Sequence, residues 1–261
     1  MRRTILFVLT VLVLAAPAGA AAKRVTASAG GLTATLTYGN GAQHNASTTA
    51  AQLLITRNGR RVYEQPVPAT GCFQVCAPVG NHPVQVASLY GSDGEDVILT
   101  LWTGGANCCV LADVYVPSSA VHSYVLDQQN FGENGFVLRD IGPHHRPEFI
   151  SGDPGFYCRF SNCAESALPV QVFEFNAEQF INVTRKHPAL IRVDAAHWLR
   201  LYQRNPQRGL GAIAAWAGDE DNLGQEATVR RLLARQQAEH HLTRKFVTAL
   251  QQFLSSGNYT S

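Results

Sequence analysis

The chain has 261 residues, of which 46% are hydrophobic; 21 are Lys or Arg, 19 are Asp or Glu, and six are Cys. A chain of this length buries a core without covalent staples, which excludes the small scaffolds that fold only through disulfides. The near-neutral charge excludes the strongly basic surface that nucleic-acid or anionic-lipid binding draws on.

The first twenty residues read as an export signal. Arg2 and Arg3 form a positive start, Ile5 to Ala16 an apolar core, and Pro17 breaks it. Ala18-Gly19-Ala20 then offers small residues for cleavage after Ala20, with cleavage two residues later as the alternative. The apolar core is shorter than the roughly 20 residues a membrane span needs. No cysteine stands at the cleavage site to carry a lipid, and no later run is long enough to span a bilayer. The expectation is a secreted, extracellular protein with a signal peptide at 1–20, a β-rich domain at 21–187 and an α-helical region at 188–261. Removing Arg2 and Arg3 leaves 19 basic against 19 acidic residues. From Lys23 to Thr184 there are 8 basic and 13 acidic residues; from Arg185 to Ser261 there are 11 and 6. These opposed charges predict attraction between the two parts across a contact. A basic helical face that meets an acidic partner is the second reading.

Val25 to Tyr38 alternates with period two, Leu32, Ala34, Leu36 and Tyr38 opposite Thr33, Thr35 and Thr37, and predicts a half-buried strand. Residues 39–49 read as loop. Asn58-Gly59 joins Gln52 to Thr56 with Arg61 to Glu64 as a hairpin, because both turn residues tolerate positive φ, and Pro66 and Pro68 end the pairing. A Cys72-to-Cys76 loop precedes strands at 84–90 and 97–102, separated by a turn at 91–94. Strands at 110–116 and 121–127 follow. A second set occupies 136–139, 148–151, 155–160, 170–175 and 180–184, the last two joined by a turn at 176–178. Asp96-Val97-Ile98 and Glu148-Phe149-Ile150 open strands 52 residues apart, which reads equally as a weak blade repeat or as chance. Beyond Pro188 the texture is helical. Asp194 is placed as a cap, Gly209 to Ala217 forms a short helix ended by Gly218, and Asn222 with Gln225 caps one long last segment. The fold class is therefore mainly β, in antiparallel, blade-like or partial-propeller sheets, followed by three helices.

Six cysteines suggest three disulfides. Cys158 and Cys163 flank a polar turn and pair locally. Cys72, Cys76, Cys108 and Cys109 allow three pairings. The crossed pairings, which tie the Cys72 loop to the Cys108 turn, are slightly preferred, because adjacent cysteines close only a strained ring. Zinc on the same four thiols is the rival, and the adjacency of 108 and 109 departs from the usual ligand spacing.

No G-x-S-x-G or H-E-x-x-H motif occurs, and no odd thiol is left for a cysteine nucleophile. His144-His145 and Glu239-His240-His241 read as surface groups. Sequons occur at Asn45, Asn182 and Asn258. Asp140 to Glu148 keeps an acid at each end of a loop whose interior offers glycine, proline and histidine, so calcium binding there is weak or absent.

The runs DVILTLWTGGANCCVLADVY, LRDIGPHHRPEFISGDPGFYCRF and SALPVQVFEFNAEQFINVTRKHPALIRVDAAHW together resemble bacterial secreted proteins with FG-GAP/VCBS repeats, of the integrin-α-like propeller class. The resemblance covers most of 24–200. It implies export and β-blade architecture, and it supplies no catalytic mechanism. Asp140 and Glu148 match the ends of that family's calcium loop, whereas Gly142 and His144 stand where its inner aspartates would be. Two or three such units are too few to close a propeller.

The function expected is an exported, non-enzymatic binding or structural module, without cofactor, for a protein or cell-surface glycan. Its candidate recognition turn is Thr103, Gly104, Gly105 and Asn107, beside Cys108 and Cys109. The alternative is an extracellular hydrolase that gathers Asp140, His144, Glu148 and Asp153 in one cleft.

Overall fold

The structure is a computed structural model that describes residues 22–39, 50–90, 95–106, 108–143, 145–176 and 179–256. The signal segment, the 91–94 turn, Asn45, Asn107, His144, residues 177–178 and Asn258 lie outside the described residues.

The first sheet is an antiparallel meander of β1 (Lys23–Ala29), β2 (Leu32–Tyr38), β3 (Gln52–Arg57) and β4 (Arg60–Pro66). Val25 to Tyr38 is thus not one strand. It folds back at Gly30-Gly31, both at positive φ (51° and 80°), a conformation that glycine reaches without a Cβ penalty. The Asn58-Gly59 turn is as expected, with φ of 49° and 77° and Arg57 paired to Arg60. The second sheet has β5 (Ala77–Pro78) and β6 (Val84–Ala87) beside β7 (Asp96–Gly105), then β8 (Cys108–Ser118) and β9 (Ser123–Asn130). The third is a meander of β10 (Val137–Asp140), β11 (Pro147–Gly152), β12 (Val170–Phe175) and β13 (Phe180–Asn182). The expected strand at 155–160 is instead a 3-10 turn at Pro154–Phe156, with Asp153 accepting from the Gly155 N–H at its start.

The three sheets stack face to face, because each strand sends alternate side chains to opposite faces. Leu32, Ala34, Leu36, Leu53 and Ile55 of the first sheet meet Val97, Leu99, Leu101, Leu111 and Tyr115 of the second. The second sheet's other face sends Ile98, Ala112 and Val114 into a phenylalanine cluster that includes Phe131, Phe149, Phe173 and Phe175. The far face of the third sheet, with Ile150, Val170 and Val172, is covered by Leu190 and Ile191. The 52-residue offset matches this stacking. Val97 and Phe149 face the preceding sheet, Ile98 and Ile150 the following layer, and Asp96 and Glu148 are both buried at the strand starts.

Four helices follow: α1 (Pro188–Arg204), α2 (Leu210–Asn222), α3 (Glu226–Ala238) and α4 (Arg244–Ser256). Asp194 is no cap. It lies inside α1, which starts at Pro188, a residue suited to the first helical position. Gly218 does not end α2, since a Cβ there would come within 2.8 Å of Phe156, and the glycine serves close packing instead. Asn222 is the last residue of α2, and Gln225 stands at the start of α3. The long last segment is two helices, broken where His240 takes a left-handed φ of 61°. The helical core also takes in Phe156, Phe160 and Leu168 from the stretch between β11 and β12.

An ion pair and an acid–imidazole contact mark the seam. Lys186 pairs with Glu174 at 3.3 Å and His187 with Glu148 at 3.1 Å, the acid on the sheet side in both. Behind them Asp219 is fully buried, accepts from the Val170 N–H at 3.1 Å, and is pushed far above the usual carboxylate range by burial and by Asp194. Its carboxyl meets that of Asp194, which also accepts from the Trp198 indole at 2.9 Å.

Candidate functional site

Two places gather side chains beyond what packing requires. The first is the tip of the β7–β8 hairpin. Cysteine pairing is local throughout: Cys72–Cys76, Cys108–Cys109 and Cys158–Cys163, with Cα separations of 5.3, 3.1 and 4.2 Å. The crossed pairing is thus replaced, although the contact it expressed is present. The Cys72 loop docks on the turn through its backbone, the Phe73 N–H donating to the Thr103 carbonyl at 2.8 Å. A main-chain bond between the two loops leaves each cysteine facing its own neighbour.

The turn is held from inside as well. Pairing shifts between Trp102 and Gly105, so Thr103 and Gly104 bulge out of the ladder. Thr103 Oγ1 accepts from the Cys109 N–H at 2.8 Å. Gly104 has φ of 91°, and a Cβ on Gly105 would sit 2.7 Å from the Cys108 carbonyl oxygen. Thr103, Gly104 and Gly105 thus shape the corner, and Asn107 lies outside the described residues. Below them Gln128 donates to both Asp113 Oδ1 (2.7 Å) and the Thr70 carbonyl (3.2 Å), fixing the start of the Cys72 loop to the second sheet. Asp113 is fully buried, and burial pushes its carboxyl up to about 6 against the Gln128 bond. On this frame Phe73 is 83% exposed. A fully presented aromatic on a doubly fixed loop is the residue that sequence reading passed over; its only signal was an aromatic between two closely spaced cysteines.

The second place is a cleft of about 110 Å³ where β11 begins and β12 ends, lined on its polar side by Glu148, Glu174, Arg146 and Asn176. Glu148 is almost wholly buried. Burial raises its pKa most; His187 lowers it, and Glu174 and Asp140 push it further up. His187 Nε2 stands 3.1 Å from Glu148 Oε1 but off the line of a well-formed hydrogen bond, and Glu148 Oε2 has no partner among the described residues.

The acids expected to work together each have a different partner, although Asp140 and Glu148 are near neighbours across the β10–β11 ladder. Asp140 is exposed and pairs with His145 at 3.3 Å, Glu148 meets His187, and Asp153 caps the 3-10 turn. Asp140 and Glu148, the calcium-loop ends, have separate protein partners, and among the described residues no three acidic, histidine or cysteine groups are placed to hold a metal ion. Also among the described residues, no helix is long and apolar enough to cross a membrane. No known family model, curated protein or solved structure matches this chain.

Proposed function

We propose that this chain is an exported, non-enzymatic recognition module that binds a protein or a cell-surface glycan through the corner formed by Phe73 and the Thr103–Cys109 turn. The observation that carries the reading is Phe73, 83% exposed on a loop closed by Cys72–Cys76 and bonded to the Thr103 carbonyl. An aromatic ring held ready in solvent offers a large contact area with little ordering cost, the property that anchors most interfaces. The leader-like first twenty residues, the paired cysteines and the resemblance to exported FG-GAP/VCBS proteins support export. The hydrolase reading stands second, because Asp140, Glu148 and Asp153 each have a different partner.

The test is retention of the purified mature protein on cell-wall fragments and on culture-medium proteins from its own source. Wild-type protein is expected to be retained on one of them, and Phe73→Ala to be retained about tenfold less or worse, the loss typical of an anchoring aromatic. Equal retention of the two proteins refutes the assignment of the corner.

A further inference from the structure

We propose that the cleft at the end of the third sheet binds a small alkylammonium group, a primary ammonium on an apolar stem. Glu148 lines the cleft with a side chain only 5% exposed, and its inner oxygen, Oε2, has no hydrogen-bond partner among the described residues. A buried acceptor left open in this way requires a donor, and an ionised acceptor is best met by a cationic one. Glu174 supplies a second carboxylate to the same cleft. Its own partner, Lys186 at 3.3 Å, is 65% exposed, so that ion pair is a weak surface contact that a ligand can displace.

The remaining walls select the stem. Leu89, Tyr90, Pro147 and Phe175 form an apolar sleeve beside the carboxylates, and about 110 Å³ of room admits several waters or the end of an aliphatic chain. Arg146 lines the same cleft with its guanidinium 5.8 Å from the centre of the Tyr90 ring. An anion could meet Arg146 there, but it would also face Glu148 and Glu174, so the balance of the cleft favours a cation. A metal ion is a poorer fit, since one unpaired carboxylate oxygen and a half-buried second acid do not make a hard-cation cage.

Calorimetric titration of the mature chain with n-butylammonium, n-butanol and n-butyrate, and with Nα-acetyl-lysine amide, tests this. Butylammonium is expected to bind one per chain, and butanol and butyrate about tenfold more weakly or worse, the difference a charge-assisted bond makes. Glu148→Gln should weaken butylammonium about tenfold, and Glu174→Gln by a smaller factor, while Phe73→Ala leaves it unchanged. Binding of the lysine amide would identify a protein-borne ammonium as the ligand source, and binding of butylammonium alone a free amine; either supports the site. Circular dichroism checks each variant for folding, and the Glu174 variant keeps the test informative if the buried Glu148 variant unfolds. The proposal is overturned if neither ammonium probe binds below about 10 mM, if butanol binds as well as butylammonium, or if the folded carboxylate variants bind as wild type does.

Discussion

Asp113→Asn isolates one buried charge with almost no change of shape. The Asn carbonyl can accept the Gln128 donor that Asp113 Oδ1 accepts at 2.7 Å, and its amide nitrogen takes the place of Oδ2, which has no partner among the described residues. Burial moves the Asp113 carboxyl from 3.8 to about 6. Between those values the folded chain binds more protons than the unfolded chain, so stability is greatest below the lower one, falls as pH rises toward the upper, and then levels off. At ~1.4 kcal/mol for each pH unit, the charged group costs the folded state ~3 kcal/mol at neutral pH. Some of this is already present at pH 4, which leaves a fall of ~2 kcal/mol between pH 4 and pH 7 that belongs to Asp113. Urea unfolding of wild type and Asp113→Asn at pH 4, 5, 6 and 7, without reductant, measures it. The gap between the two proteins should shift by that amount in favour of the variant as pH rises. The absolute offset is not the test, because the new amide brings donors of its own. Asp96, also raised to about 6 by burial, contributes equally to both curves. Parallel curves for the two proteins would refute the reasoning and mean that Asp113 is solvated or paired in the fold.

Four further substitutions probe the frame. Ile98→Ala empties a fully buried position between the second and third sheets and should cost ~2–5 kcal/mol in urea unfolding, with a matching fall in Tm. Thr103→Val removes the acceptor of the Cys109 N–H; a loss of ~1–3 kcal/mol is expected, with faster hydrogen exchange at that amide. Gly105→Ala sets a methyl 2.7 Å from the Cys108 carbonyl oxygen and should cost ~1–3 kcal/mol, whereas Gly59→Ala meets no neighbour within 4 Å and should show only the backbone strain of its positive φ.

The mainly β, antiparallel character and the helical C-terminus were legible because their signals act locally, as in the period-two alternation of Leu32, Ala34 and Leu36 and in the Asn58-Gly59 turn. Gly30-Gly31 carried a turn signal too, and the inward set changes phase across it, from Val25, Ala27 and Ala29 to Leu32, Ala34 and Leu36, a break that the reading of one strand passed over. The helix ends were misjudged at Asp194 and Gly218, where the residue types that favour a cap or a stop serve long-range contacts: Asp194 bonds Asp219 and Trp198, and Gly218 admits Phe156. The local Cys158–Cys163 bridge was legible in its spacing, whereas the pairing of Cys72, Cys76, Cys108 and Cys109 was misjudged for a related reason. Nearness of the two cysteine loops is a tertiary property that spacing suggests, but a single backbone bond from Phe73 to Thr103 satisfies it without a covalent cross-link. The Glu148–His187 contact joins residues 39 positions apart on either side of the sheet–helix seam. Neither residue type nor local pattern points from one to the other, and the opposed charge of the two parts, summed over Lys, Arg, Asp and Glu, does not count His187.

The central claim is that the corner around Phe73 is the recognition surface. Amide chemical-shift mapping of the 15N-labelled mature protein, titrated with solubilised cell-wall fragments or with the medium protein that retains it, tests that claim most directly. Shifts are expected to concentrate at Phe73 and its loop and from Thr103 to Cys109, and to be lost in Phe73→Ala. Shifts concentrated on the helices or on the outer face of the first sheet, with the corner silent, would contradict it.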